Sequence, residues 1–314
     1  MPIYSRIEIG RVAQENGFVR DTFEKVLRLI EILKFFNEEE FLKEHLVLKG
    51  GTAINLTIFD LPRLSVDIDM DYMPNDSKED MLKSREKITS LIKQFMKEEG
   101  YQLSENSRFM HSLDAFYYNY YNTGGNKDMI KIELNYSLRA HVLETVESKI
   151  IPKVFSDDNL TIRTIHPIEI FAAKGNALIS RAAARDLYDW GNMIEANLFE
   201  DEKDLFRKCF IFYTTISSEN FNMKFDTSAI DSLSFAKIRR DLFPVLKKKD
   251  NFDLDKRIKQ AKEYISKLMI PSEKEYEYME YFMLKEFKPQ LLFDNEEIIE
   301  KIKKHPMAIW KCRP

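Results

Sequence analysis

The chain has 314 residues, 44% of them hydrophobic, with 23 Phe and 14 Tyr. That length suits two domains or one large one, and the aromatics can build a core, which excludes a mainly disordered chain. The formal net charge of −4 excludes whole-surface attraction to nucleic acid and leaves only a local basic patch for that purpose.

Residues 22–36 carry Phe23, Val26, Leu27, Ile30, Leu33 and Phe36 at helical spacing, with Asp21 or Thr22 as N-cap. A short helix is expected at 38–44. Val47 and Leu48 form a short apolar run stopped by Gly50-Gly51, after which helical patterning resumes. The next run alternates: Leu64, Val66, Ile68 and Met70 on one face, Ser65, Asp67, Asp69 and Asp71 on the other. This is a period-2 strand. A charged amphipathic helix follows over 78–98, ended by Gly100. Residues 113–121 and 129–137 read as strands around a turn that contains Gly124-Gly125. After Pro167 the pattern is helical, over about 167–182, 185–196, 201–215, 233–240, 255–268, 272–287 and 295–303, with a Ser/Asn/Asp-rich loop at 217–232. The layout predicts an α+β domain over 1–165 and an all-α domain over 166–314.

Two cysteines, Cys209 and Cys312, are too few for a disulfide framework and fit a reducing cytoplasm. The charged start MPIYSRIEIG does not read as a signal peptide. No apolar stretch approaches the roughly 18 residues of a spanning helix. A cytoplasmic protein without a membrane partner is expected.

The chemistry is concentrated in Lys49-Gly50-Gly51-Thr52 and in Ser65-Val66-Asp67-Ile68-Asp69. Carboxylates at i and i+2 of a strand share a side and repel by a few kcal/mol at an effective dielectric of about 20. A cation between them relieves this, and Mg²⁺ takes one or two carboxylates plus phosphate oxygens. The glycine turn opens a helix whose backbone N–H groups can hold phosphate, with the Thr52 hydroxyl as a further donor. Taken singly, the Asp triplet is also a solvent-facing strand edge and the glycines a mere turn. Asp67 follows Thr52 by 15 positions, enough for one helix and a return to an adjacent strand, and the pair of motifs favours function.

The segment LVLKGGTAINL…LPRLSVDIDMDY resembles the AbiEii/AbiGii toxin family of nucleotidyltransferases, within the DNA polymerase β-like superfamily. The superfamily pattern is Gly-Ser followed by Asp-x-Asp. Here Gly51-Thr52 precedes Asp67-x-Asp69, with Thr for Ser and a slightly longer spacer, and Arg63 and Ser65 match the family's R-x-S-x-D-I-D run. The resemblance implies a polymerase β-like domain with a mixed sheet. It makes Asp67 and Asp69 the ligands of a two-ion Mg²⁺ site and places Gly50, Gly51, Thr52, Arg63 and Ser65 around the nucleotide. Glu133, on one strand face with Lys131 and Asn135, is the candidate third ligand or general base; an exposed polar face is the plain alternative.

A second segment, HPIEIFAAKGNALISRAAARDLYDW (166–190), resembles the family's later motif of a helical Lys followed by Arg-Asp-x-x-Asp. On one continuous helix, steps of about 100° bring Lys174, Arg181 and Arg185 within about 40° of each other, with Asp189 beside them. Lys174 is then expected on the β/γ phosphates and Arg181 or Arg185 on the same group or the acceptor. Asp186 and Asp189 match the family's two aspartates; Asp186 joins the site if the helix breaks near Ala184, and the pattern does not choose between them. The plain alternative is a solvated helix face. The resemblance covers about 22–195, and HPMAIWK (305–311) is similar to a family ending.

The five histidines have no zinc spacing, and the lysine of Lys49-Gly50-Gly51-Thr52 precedes its glycines, unlike a P-loop. Lys247-Lys248-Lys249 and Lys301, Lys303 and Lys304 are basic runs that suit an RNA acceptor or plain solvated helix ends. The expected function is that of a toxin in a type IV-like toxin–antitoxin or abortive phage-infection system. It would move NMP from NTP to an RNA, a tRNA 3′ end by preference, with a cognate antitoxin as partner. The same chemistry on a small molecule or protein, or a non-catalytic nucleotide-binding module, are the rival readings.

Overall fold

The structure is a computed structural model and describes residues 5–155, 160–218, 221 and 223–313. It divides into two compact units. The first comprises 1–139, 145–165 and 244–250, and the second 140–144, 166–243 and 251–314.

The first unit runs α1 (Arg6–Glu15), α2 (Arg20–Glu38), α3 (Glu40–His45), β1 (Leu46–Lys49), α4 (Gly50–Ala53) continued by a π-helical turn (Ile54–Ile58), β2 (Asp67–Tyr72), α5 (Lys78–Glu98), β3 (Gln102–Leu103), β4 (Arg108–Phe109), β5 (Leu113–Tyr121), β6 (Lys127–Asn135), β7 (Val146–Lys149) and β8 (Thr161–Thr164). The strands form one mixed sheet in the order β3-β5-β6-β2-β1-β8-β7, with β4 also on β5. β2 lies antiparallel to β1 and parallel to β6, so the Asp-x-Asp strand is central.

The α2 pattern buries Phe23, Val26, Ile30, Leu33 and Phe36. Phe35 of α2 stacks on Phe95 of α5 at 3.9 Å between ring centroids. Buried Glu24 accepts bonds from Thr123 N and Oγ1 and from Arg28, which fastens the β5–β6 turn to α2. α5 is capped by Ser77, carries Glu79 and Asp80 in its first turn and is followed by Gly100 at φ +81, so its ends are chemically marked.

The strand expected from Leu64 begins only at Asp67. Leu64 N donates to Val245 O and Arg63 bridges Leu246, so these residues pair away from β1 and β6. The second hairpin strand covers Lys127–Asn135 rather than 129–137, because Asn122 Oδ1 accepts from Gly124 N and Asn126 N and closes the turn early. α1, β3, β4, β7 and β8 carry no clear periodic signal; each is short or buries only one or two apolar side chains.

The second unit contains α6 (Pro167–Arg181), α7 (Ala184–Glu195), α8 (Lys203–Ser217), α9 (Phe235–Asp241), α10 (Leu254–Leu268), α11 (Glu273–Met283), α12 (Glu296–Ile302) and α13 (Pro306–Lys311). Its core gathers Trp190 against Phe206, Phe210 and Tyr264, with the indole N–H donating to Phe171 O at 3.0 Å. A Cβ on Gly175 would stand 2.2 Å from Trp190 Cζ2, so only glycine lets α6 approach α7 this closely. Buried Glu169 accepts from Val142 N, Leu143 N and Tyr213 OH, which binds residues 140–144 into this unit. The expected 217–232 loop contains the short 3₁₀ turn Ser228–Ser232; its positions 219, 220 and 222 lie outside the described residues. No helix among the described residues is long and apolar enough to cross a membrane.

Candidate active site

In the first unit the site is built on β1, the turn after it, β2 and β6. The sheet register sets Lys49 opposite Asp69 and Asp69 beside Glu133, with Asp67 beside Lys131. Asp67, Asp69 and Asp71 stand on one face of β2 while Ile68 and Met70 enter the core, because side chains alternate along a strand. Asp67 and Asp69 keep some exposed surface; Asp71 is buried and paired with the Lys49 ammonium.

The glycine turn closes directly on these carboxylates. Gly50 has φ +70, and a Cβ there would stand 2.7 Å from Asp69 Oδ2. A Cβ on Gly51 would stand 2.7 Å from Arg63 Nη2 and 2.9 Å from Ser65 Oγ. Glycine is needed at Gly50 for backbone conformation and at both positions for space. The Arg63 side chain is buried behind Gly51, with Nη1 donating to Leu64 O at 2.8 Å, and so sets a fixed positive charge at the turn.

The Thr52 hydroxyl is expected to face phosphate. Here it is buried and donates to Asp67 O instead, tying the start of α4 to the start of β2. Asn55, which the motif reading passes over, and Lys49 complete the turn. Asn55 Nδ2 donates to Gly51 O at 2.7 Å, and Lys49 holds Asp71. The i,i+4 spacing of Gly51 and Asn55 is the sequence signal for the first; the second needs the β1–β2 register.

Electrostatically the site is acidic and unbalanced. The Asp69 carboxyl is pushed up to about 6 by burial and then by the Asp67 charge; Glu133 adds to this, while Lys49 and Lys131 oppose it. Lys131 lies above its ordinary value: burial works against its charge, but Glu133, Asp69 and Asp67 outweigh it. Glu133 pairs with Lys131 on its own strand. Among the described residues no group of three or more His, Cys, Asp or Glu side chains is arranged to hold a metal ion. The three-carboxylate set expected from the motif is therefore not assembled here, because Lys131 takes the Glu133 carboxylate. The Asp67–Asp69 pair itself fits a hard divalent cation: two oxygen donors share one face, and burial, with the Asp67 charge beside it, raises the proton affinity of Asp69.

The second unit's residues do not form the stripe that one continuous helix would give. Ala182 adopts φ 47, a left-handed cap, and Ala183 is extended, so the helix ends at Arg181 and a new one starts at Ala184. α7 therefore turns its aspartates onto α6. Lys174 Nζ lies 2.7 Å from Asp186 Oδ1 and 3.0 Å from Asp189 Oδ2, with both aspartates buried. Both match positions thus face Lys174. Arg181 is exposed and reaches Asp186 Oδ2 at 3.4 Å. Arg185 Nε donates to Asp241 O at 3.2 Å. The break leaves Lys174 and Arg181 both on Asp186 and sends Arg185 to Asp241.

A sequence profile described as "Nucleotidyl transferase AbiEii toxin, Type IV TA system" matches residues 32–266. Among solved structures, the fold is similar to that of MenT4, a nucleotidyltransferase toxin from Mycobacterium tuberculosis H37Rv. The TM-score is 0.65 at 15% identity, over 99% of this chain and 100% of that one. No curated protein sequence matches.

Proposed function

Because the chain belongs to the AbiEii family of nucleotidyltransferase toxins of type IV toxin–antitoxin systems, we propose that it transfers a nucleoside monophosphate from an NTP to the 3′ end of an RNA, a tRNA first, in a Mg²⁺-dependent reaction. The family makes the chain a nucleotidyltransferase toxin with an antitoxin partner; the metal, the RNA and a cytoplasmic setting are our reading. The observation that carries it is the Asp67–Asp69 pair on one face of β2, closed over by the Gly50-Gly51 turn.

The acceptor hydroxyl attacks the α-phosphorus, a P–O bond to the acceptor forms, and the bond to pyrophosphate breaks. Asp67 and Asp69 would hold Mg²⁺, which would supply positive charge to the phosphoryl group. The backbone N–H groups opening α4, with Arg63 behind them, offer donors and charge to the phosphates. Glu133, the candidate base, would leave Lys131 to take the acceptor proton. Lys174, fixed by Asp186 and Asp189, is the second unit's candidate for the triphosphate charge, with Arg181 and Arg185 as its weaker companions.

The test is incorporation from each α-³²P-NTP into purified total tRNA with Mg²⁺. Label with wild type, none with Asp67→Ala/Asp69→Ala and none with EDTA is the expected result. No label from any nucleotide, with growth inhibition still dependent on Asp67, would overturn tRNA as acceptor and favour a protein or small molecule.

A further inference from the structure

One surface of the second unit combines exposed aromatic rings with cations. Phe235, which opens α9, is 61% exposed, and Phe243, just past its end, is 39% exposed. Their rings meet edge to face with centroids 5.7 Å apart. Arg239 follows Phe235 by one helical turn and so stands on the same side. Lys237 and Arg240 occupy the same short helix, whose buried anchor is Ile238. Asp241 is the one carboxylate of the segment 234–243, and Arg240 grips both its oxygens, at 2.6 and 2.7 Å. Arg185 and Lys237 also act on that carboxylate, so the cations converge on one small area.

The place of Arg239 and Arg240 at a helix C-terminus accounts for them as dipole partners. It does not account for two exposed Phe rings beside them in the chain. The aromatic pair shares one short helix and its end with three cations, Lys237, Arg239 and Arg240. Aromatic platforms interleaved with basic side chains are what single-stranded nucleic acid requires: each base has a π-face to stack and each linkage a negative charge. In a chain of net charge −4, such a patch is the local exception that RNA binding needs.

We propose that α9 and Phe243 receive the single-stranded end of the acceptor RNA, with Phe235 and Phe243 stacking on bases and Lys237, Arg239 and Arg240 meeting the phosphates. This rests on the reading of RNA as acceptor.

The experiment uses the full chain. Binding of a 5′-fluorescein single-stranded RNA is followed by anisotropy over a salt series, and incorporation kinetics are run with RNA and NTP varied separately. Phe235→Ala/Phe243→Ala should weaken RNA binding by about tenfold or more and raise KM for RNA, with KM for NTP unchanged. Phe235→Tyr/Phe243→Tyr, which keeps the stacking rings, should restore both. Arg239→Gln should lower the salt slope by roughly one. Circular dichroism checks that each variant is folded. If wild type labels RNA and the alanine variant keeps its RNA KM, the surface assignment falls while the RNA reading stands. If wild type neither labels nor binds RNA, both fall. If RNA kinetics are unchanged but neutralisation by the co-expressed antitoxin is lost, the face is a protein-docking surface and the proposal is overturned.

Discussion

Each unit holds a cluster of opposite charges, part-buried in the first and buried in the second, and the two are solved in opposite ways. On β2 the carboxylates Asp67 and Asp69 share a face, and the nearby lysines are engaged with other acids, Lys49 with Asp71 and Lys131 with Glu133. On α6 and α7, Lys174 is shared by Asp186 and Asp189, and the charges meet within hydrogen-bond reach. The first arrangement is strained without a cation. The second is complete as it stands. On our reading a metal ion would relieve the first pair's repulsion, whereas the second cluster holds its ammonium with the charges already paired.

The strongest way to break this contrast is to remove the carboxylates of the strained site. Asp67→Asn or Asp69→Asn should lower nucleotide incorporation on the order of 10³-fold while leaving the fold intact by circular dichroism. An active Asp69→Asn enzyme would remove the metal-binding reading of β2. Next in size is Lys174→Ala. Leaving Asp186 and Asp189 buried without their cation should cost about 3–5 kcal/mol of stability by urea unfolding. The variant Lys174→Met/Asp186→Asn/Asp189→Asn should recover most of that stability and none of the activity. Recovery of both would make the cluster purely structural.

Gly50→Ala sharpens the contrast from the backbone side. Its φ of +70 and the 2.7 Å approach to Asp69 Oδ2 predict a loss of about 1–3 kcal/mol together with a loss of activity. Wild-type stability with full activity would show that the turn is not held against β2 as described.

The smallest effect is in pH and has the opposite sign. The folded Asp69 carboxyl, at about 6, lies above its ordinary value of 3.8. The native state therefore binds more protons than the unfolded state between those values. Metal-free stability should fall as pH rises through that window and stay low above it. Asp69→Asn should raise the metal-free Tm at pH 7.5 by a few degrees, on the order expected for about 1 kcal/mol. It should also abolish the further Tm gain that Mg²⁺ is expected to give the wild type. A wild-type Tm that rises across the same window without metal would refute the account.

Much of the fold was legible because its longer elements advertise themselves locally. α2 repeats apolar residues at helical spacing, α5 is capped by Ser77 and followed by Gly100, and β5 and β6 alternate around a glycine turn. Several short elements were not legible. β8 pairs with β1 through Leu48 and Thr164 and buries only Ile162 and Thr164 of its four residues, too few to show a period. α13 lies beyond the last clear periodic run. The break after Arg181 was legible in outline, with separate helices expected over 167–182 and 185–196, but its exact residue was not, because Ala182-Ala183-Ala184 is strongly helix-favouring. It is packing that reverses the chain there, with Gly175 admitting Trp190 and Lys174 accepting two aspartates.

What the sequence determined by itself was the chemistry of the first motif: the shared face of Asp67 and Asp69 and the glycines ahead of them. These are matters of residue type and spacing, and local geometry carries them. What only the tertiary structure decided was which charges meet. The register of β1 on β2 gives Lys49 to Asp71, Lys131 reaches Glu133 before any third ligand is assembled, and the α6–α7 turn gives Lys174 both Asp186 and Asp189. Pairing of charges depends on distances across separate elements, and only the packed chain sets those distances.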